Sequence, residues 1–232
     1  MFPGTFNMAL AGSPTYVSDG LVLHIDAKTF TTGDSTVSDV EGSGRTMTVN
    51  GGVTKEASDG GRFDFSGGSS NEYLSTSNSG LGTGKIPYTF EIWCNFDKVE
   101  TDRWWLAVIG AYSGGNVHMI GTSNGDFGTW DYSSQRISLT SLASPGTWQQ
   151  IVLTNDGANT FKVYQNGLIF ATKTNNTNHN LTSTALNIAN NGGYSVQDFD
   201  GKVTIARLYN RVLTDEEVQK NYKANKRRHG LS

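Results

Sequence analysis

The sequence predicts an all-β protein, a two-sheet antiparallel sandwich with one short helix near its C-terminal end. Three observations carry that prediction. Apolar and polar residues alternate with period 2 over many short runs, as half-buried strands require. Turn signals rich in Gly, Asn and Ser separate the runs, and the 232 residues hold 28 glycines but only 4 prolines, a composition suited to short strands and tight turns. Only the segment after Leu213 carries a full set of helix signals.

Residues 1–19 have little periodicity and read as an arm, apolar enough through Phe2, Phe6, Met8 and Leu10 to dock on another subunit. Strands are expected at 21–26, 45–50, 62–66, 72–76, 87–97, 104–111, 117–122, 127–132, 135–139, 147–154, 160–165, 168–174, 185–189 and 201–209. Asn50-Gly51-Gly52, Ser66-Gly67-Gly68, Ser113-Gly114-Gly115 and Asn191-Gly192-Gly193 punctuate them. Asn166-Gly167 sits between two alternating runs and predicts a two-residue hairpin, because both central residues of a type I′ turn need positive φ. Thr214 and Glu217 form a capping-box pattern, with Leu213 and Val218 placed as a hydrophobic staple. Asp215, Glu216 and Glu217 suit the positive end of that helix, and Lys220, Lys223 and Lys226 the negative end. Residues 223–232 read as a basic tail. The lone Cys94, in phase with Phe90, Ile92 and Phe96, is expected in the core, and a single cysteine leaves no intramolecular disulfide.

FDGKVTIARLYNRVLTDEEVQKNY (Phe199–Tyr222) resembles the closing strand and helix of laminin-G-like domains in the concanavalin A-like lectin/glucanase superfamily. GLVLHIDA (Gly20–Ala27), FDFSGGSSNEYL (Phe63–Leu74), TFEIWCNFD (Thr89–Asp97) and WQQIVLTNDG…FKVYQNGL (Trp148–Leu168) resemble its other strands in the same order. The resemblance spans residues 20–222 and implies a two-sheet antiparallel jelly roll with Trp93 and Trp148 at core positions. The tail NYKANKRRHGL (Asn221–Leu231) is similar to that of short virion proteins of tailed phages, where such domains serve as oligomeric decoration, fibre or adhesion modules.

Several chemistries are disfavoured. Glycan hydrolysis needs two carboxylates about 5–9 Å apart; the glucanase pattern E-x-D-x-x-E is absent, and the i,i+2 pair Asp198/Asp200 flanks a strand entrance. The four histidines lack zinc spacing. No enzyme is expected. The net charge of −3 hides an acidic body and five positives clustered at Lys220, Lys223, Lys226, Arg227 and Arg228. An acidic body argues against nucleic-acid binding. No signal-peptide pattern and no apolar run of membrane-spanning length is seen, so no membrane insertion is expected; the resemblance to phage virion proteins implies the virion, assembled in the host cytoplasm, as the location.

Binding is the better expectation. Pyranose rings stack on aromatic faces while their hydroxyls pair with Asp, Asn and Gln. Trp104 and Trp105 are adjacent, so on a strand one should be core and the other exposed. With Tyr112, Trp130, Tyr132 and Tyr194 they form the candidate set for a cell-surface glycan. Oxygen donors at loops suit calcium, and the resemblance implies it: Asn124, Asp126, Asp131, Asp156 and Asp198 are the candidate ligands. The expected partners are further copies of the chain and other virion proteins, reached through the N-terminal arm. The rival readings are a cellular or secreted lectin and a degenerate glycoside hydrolase.

Overall fold

A computed structural model describes residues 15–68, 71–98, 104–110, 117–123, 126–131, 137–139, 144–174, 180–190 and 198–232. The strands are β1 (Leu21–Asp26), β2 (Thr36–Ser38), β3 (Thr46–Asn50), β4 (Thr54–Glu56), β5 (Arg62–Gly68), β6 (Tyr73–Thr76), β7 (Pro87–Phe96) and β8 (Trp104–Gly110). There follow β9 (Val117–Ser123), β10 (Asp126–Asp131), β11 (Ile137–Ser138), β12 (Trp148–Asp156), β13 (Phe161–Gln165), β14 (Leu168–Lys173), β15 (Leu186–Ile188) and β16 (Asp198–Tyr209). Helix α1 (Asp215–Asn225) and a 3-10 turn over Lys226–His229 close the chain.

Two layers result. The first runs β14-β13-β12-β7-β16, with β1 and β5 sharing the far edge of β16 and β4 outside β5; the second runs β2-β3-β6-β15-β8-β9-β10-β11. Among the described residues the strand pairing that joins them is a parallel bridge between Asp198 and Trp105. The inward alternates fill one core: Phe90, Ile92, Cys94 and Phe96 of β7 meet Leu106, Ile109, Leu186, Ile188 and Phe199. The short strands β2 and β4 carry too few alternations to stand out in sequence.

The hairpin forms as expected, with Asn166 at φ 51° and Gly167 at φ 81°. Helix α1 has its capping box: Glu217 N–H donates to Thr214 Oγ1 at 3.2 Å and Thr214 N–H to Glu217 Oε2 at 2.9 Å. Leu213 and Val218 share a buried cluster with Val17, Val152, Tyr164 and Tyr209. The helix thus covers the outer face of the first sheet.

Most of the expected arm, residues 1–14, lies outside the described residues. Residues 16 and 17 pack on their own domain: Val17 N–H donates to Asn221 Oδ1 at 2.8 Å, and Tyr209 Oη–H donates to the Val17 carbonyl at 3.1 Å. The basic tail is built into the fold. Arg228 binds both oxygens of Asp26 at 2.9 Å, and buried His229 stacks on Trp93 with ring centroids 4.2 Å apart. A β-bulge at Thr204 of β16 presents its hydroxyl to His229 Nε2 at 2.8 Å. Trp93 and Trp148 are buried as expected, but Trp148 packs against His229 at 4.7 Å, on the outer side of the sheet.

Candidate functional site

The outer face of the second sheet divides into two halves. Met47, Leu74 and Ile188 point into the core, so the alternates Thr46, Thr48 and Asn50 of β3, Tyr73 and Ser75 of β6 and Asn187 of β15 point outward. Register aligns Thr36, Thr48, Ser75 and Asn187 in one row across four strands. The Asn50 amide donates to Ser75 Oγ at 3.0 Å and to the Thr48 carbonyl at 3.2 Å, which fixes the hydroxyl beside it. Tyr73, Ser75 and Asn187 are half-buried, while Thr36, Thr46 and Thr48 are exposed. This half is a fixed surface of hydroxyls and amides beside one accessible ring.

The same row continues through Val108 and Met119, which with Trp105 and Val117 form a separate apolar cluster. Gly121 lies opposite Trp105 in the ladder, and a Cβ there would come within 2.7 Å of the indole. The indole therefore lies over a glycine, against the sheet.

This arrangement corrects the aromatic set read from sequence. Trp104 and Trp105 do face opposite sides, but both are buried, at 2% and 3% exposure. Trp104 packs among Phe96, Phe127 and Phe199, so neither indole presents a face to solvent. Trp130 pairs with Met119 through its backbone, and its side chain lies outside the described part; Tyr112, Tyr132 and Tyr194 lie outside the described residues. The accessible ring described on this face is Tyr73, which sequence reasoning missed. Its signal was the alternation Tyr73-Leu74-Ser75, with only the middle residue apolar.

The calcium set does not form one site. Asp156 pairs with Pro87 at one end of β7, whereas β16 reaches the other end, with Gly201 opposite Phe96 and Asp198 beyond it. At ~3.4 Å per residue the two carboxylates are about 30 Å apart. Asp156 Oδ1 accepts backbone N–H bonds from Ala158 and Asn159 at 2.8 Å and from Thr160 at 2.9 Å. Burial opposes its ionisation, but these donors prevail and hold its carboxyl below the usual range. Asp198 accepts from Asn71 N–H at 2.8 Å and from the Asn190 amide, and burial pushes its carboxyl up. Asn124 lies outside the described residues, as do the side chains of Asp126 and Asp131. Among the described residues no three His, Cys, Asp or Glu side chains gather as a metal cluster.

Asp200, Asp64, Asp97 and Glu91 are also held by donors. Asp200 pairs with Lys98 at 3.1 Å, and Lys202 lies between Asp64, at 3.5 Å, and Asp97. Glu91, fully buried under α1, receives Arg207 at 3.2 Å, Trp93 Nε1 at 3.1 Å, Gln150 Nε2 at 2.9 Å and Asn221 Nδ2 at 2.7 Å. No described helix is long and apolar enough to cross a membrane.

A family model described as the concanavalin A-like lectin/glucanases superfamily, of laminin G type, matches residues 66–219. No curated protein matches the sequence. Among solved structures, domain 4 of AbnA, a GH43 extracellular arabinanase from Geobacillus stearothermophilus, in complex with arabinotriose, is similar at TM-score 0.67 and 19% identity, over 87% of this chain and 98% of that one. The binding domain of botulinum neurotoxin DC in complex with SialylT is similar at TM-score 0.67 and 13% identity, over 89% of this chain and 52% of that one. A Trypanosoma rangeli sialidase in complex with the inhibitor DANA is similar at TM-score 0.66 and 15% identity, over 90% of this chain and 33% of that one. This chain thus spans about half of the toxin domain and a third of the sialidase. At such identities the likeness is one of fold.

Proposed function

The chain belongs to the concanavalin A-like lectin/glucanases superfamily, and on that premise we propose that it is a non-catalytic glycan-recognition module carried on a virion surface. The observation that carries the reading is the polar half of the second sheet's outer face. Sugar hydroxyls pair with fixed amides and hydroxyls while a pyranose face packs on an aromatic ring. Asn187, Asn50, Ser75, Thr48 and Tyr73 supply those groups on one rigid sheet face. Two fold neighbours were solved with arabinotriose and SialylT bound, which accords with this use of the fold.

The non-catalytic part is supported by the state of the acids. Asp198 is engaged by two amide donors, Asp200 by Lys98, and Glu91 by Arg207 under the helix. A hydrolase would need one such carboxyl turned to substrate and its partner free to act. The virion setting, as an oligomeric decoration or fibre protein, rests on the resemblance of Asn221–Leu231 to tails of phage virion proteins.

A glycan array probed with the purified chain, a reducing-sugar assay on whatever binds, and mass spectrometry of purified virions test the three parts separately. The expected results are binding, no release, and presence in the particle. Release lost on Asp198→Asn would make the protein a hydrolase. Binding without presence in virions would make it a cellular lectin.

A further inference from the structure

Leu168, Ile169 and Val212 are the large hydrophobic residues left exposed among the described residues, at 66%, 49% and 36%. Leu168 and Ile169 line a groove of about 360 Å³ with Gly167, Asp215, Glu216 and Gln219. Val212 lies three residues before Asp215. The groove's walls are fixed: a Cβ on Gly167 would fall 3.0 Å from Tyr222 Cβ, so hairpin and helix are already in contact. Strand β14 is an edge strand, but its register with β13 shifts between Val163 and Tyr164, leaving Phe170 as an extra residue. Such a bulge disrupts the regular outward row of N–H and C=O groups that strand addition needs. The edge therefore offers side chains rather than a backbone ladder.

The chain also carries an apolar segment that matches this groove. Residues 1–14 include Phe2, Phe6, Met8 and Leu10 and no charged side chain. Phe6, Met8 and Leu10 alternate with Asn7 and Ala9, so an extended segment presents three large apolar groups on one side. Lacking carboxylates, it meets no repulsion from Asp215 and Glu216 at the groove's rim. It leads into Tyr16, whose ring lies 4.2 Å under the Arg207 guanidinium on the β1–β16 side of the first sheet. The groove is at the opposite edge. From β1 to β14 the path crosses β16, β7, β12 and β13, about 24 Å at ~4.8 Å per strand, and α1 stands on that face between them.

We propose that residues 1–14 of one copy dock in the Leu168–Ile169 groove of a second copy. The segment then covers the exposed side chains of Leu168 and Ile169, and a second copy presents that groove without the detour around α1. Reciprocal exchange closes a two-fold dimer, and one-way exchange builds a ring or a chain.

Light scattering during size exclusion tests this on four samples. The full chain should be oligomeric. The chain lacking residues 1–14 and the full-length Ile169→Lys variant should each be monomeric with unchanged circular dichroism, since the deletion removes no described strand or helix and Ile169 is half exposed. Mixing those two should restore association, because one keeps the groove and the other keeps the segment. A monomeric full chain, an Ile169→Lys variant that assembles as well as the wild type, or a mixture that stays monomeric would each overturn the proposal.

Discussion

Glu91 and Asn221, 130 residues apart in sequence, are joined by a 2.7 Å hydrogen bond with both residues fully buried. The bond ties the central strand of the first sheet to the closing helix. Arg207, Trp93 and Gln150 complete the carboxylate's shell. The outer face of the first sheet is therefore a second, partly polar core.

Replacing Glu91 with Gln leaves the Arg207 guanidinium buried without its counter-charge. Removing one partner of a buried pair costs about 3–5 kcal/mol, so urea unfolding should show a loss of that size. A loss under about 1 kcal/mol would mean that the helix is not held by this network.

Truncation after Asn225 removes the Arg228–Asp26 pair and the His229 ring stacked on Trp93. The melting temperature should fall by several degrees, since one kcal/mol shifts it by about 2–4 °C in a domain of this size. An unchanged melting temperature would return the tail to a solvated appendage.

Thr214→Ala removes one arm of the capping box and should cost about 1 kcal/mol, leaving assembly unaltered. Chemical denaturation of the variant beside the wild type measures it, and an equal midpoint would contradict the cap.

His24 and His229 are both held down to about 4, by burial first, with Arg207 acting in the same sense on His24 and Arg228 on His229. The unfolded chain takes up these protons near pH 6.5, while the folded one resists until about 4. Stability is therefore complete above the unfolded value and falls as pH drops from about 6.5 to 4, levelling below that for these two groups. Urea midpoints at pH 7, 5.5 and 4.5 should decline, less steeply in His24→Gln and His229→Gln. A flat profile across that window would show that neither imidazole stays neutral.

Gly121→Ala places a methyl within 2.7 Å of the Trp105 ring and against the Trp104 carbonyl. Overpacking of this kind costs about 1–3 kcal/mol or more, and the variant should express poorly or melt early. Wild-type melting would mean that the indole does not lie over the sheet.

Most of the sandwich was legible because inward alternation is a one-dimensional signal: Phe90, Ile92, Cys94 and Phe96 announce β7 unaided. Asn166-Gly167 and the Thr214–Glu217 box are equally local. The second core was hidden for a physical reason. Glu91, Gln150 and Arg207 occupy the polar alternates of their strands, and those alternates are solvated unless something covers them. Only the tertiary path of α1 shows that something does. Trp104 and Trp105 were rightly assigned to opposite faces, but the same assumption made one of them exposed. That Asp156 and Asp198 stand about 30 Å apart follows from which strands pair, which neither strand reveals by itself. Tyr73 and Asn187 escaped notice because nothing in a single strand marks a polar alternate as part of a row.

The most direct test of the glycan reading is calorimetric titration of an array-identified glycan into the wild type, Tyr73→Ala and Asn187→Ala. Both side chains are half-buried on the outer face, so the variants should fold normally. Each should weaken binding roughly tenfold or more, as loss of a stacking ring or a paired amide does. Unchanged affinity in both variants would contradict the account and move recognition off this face.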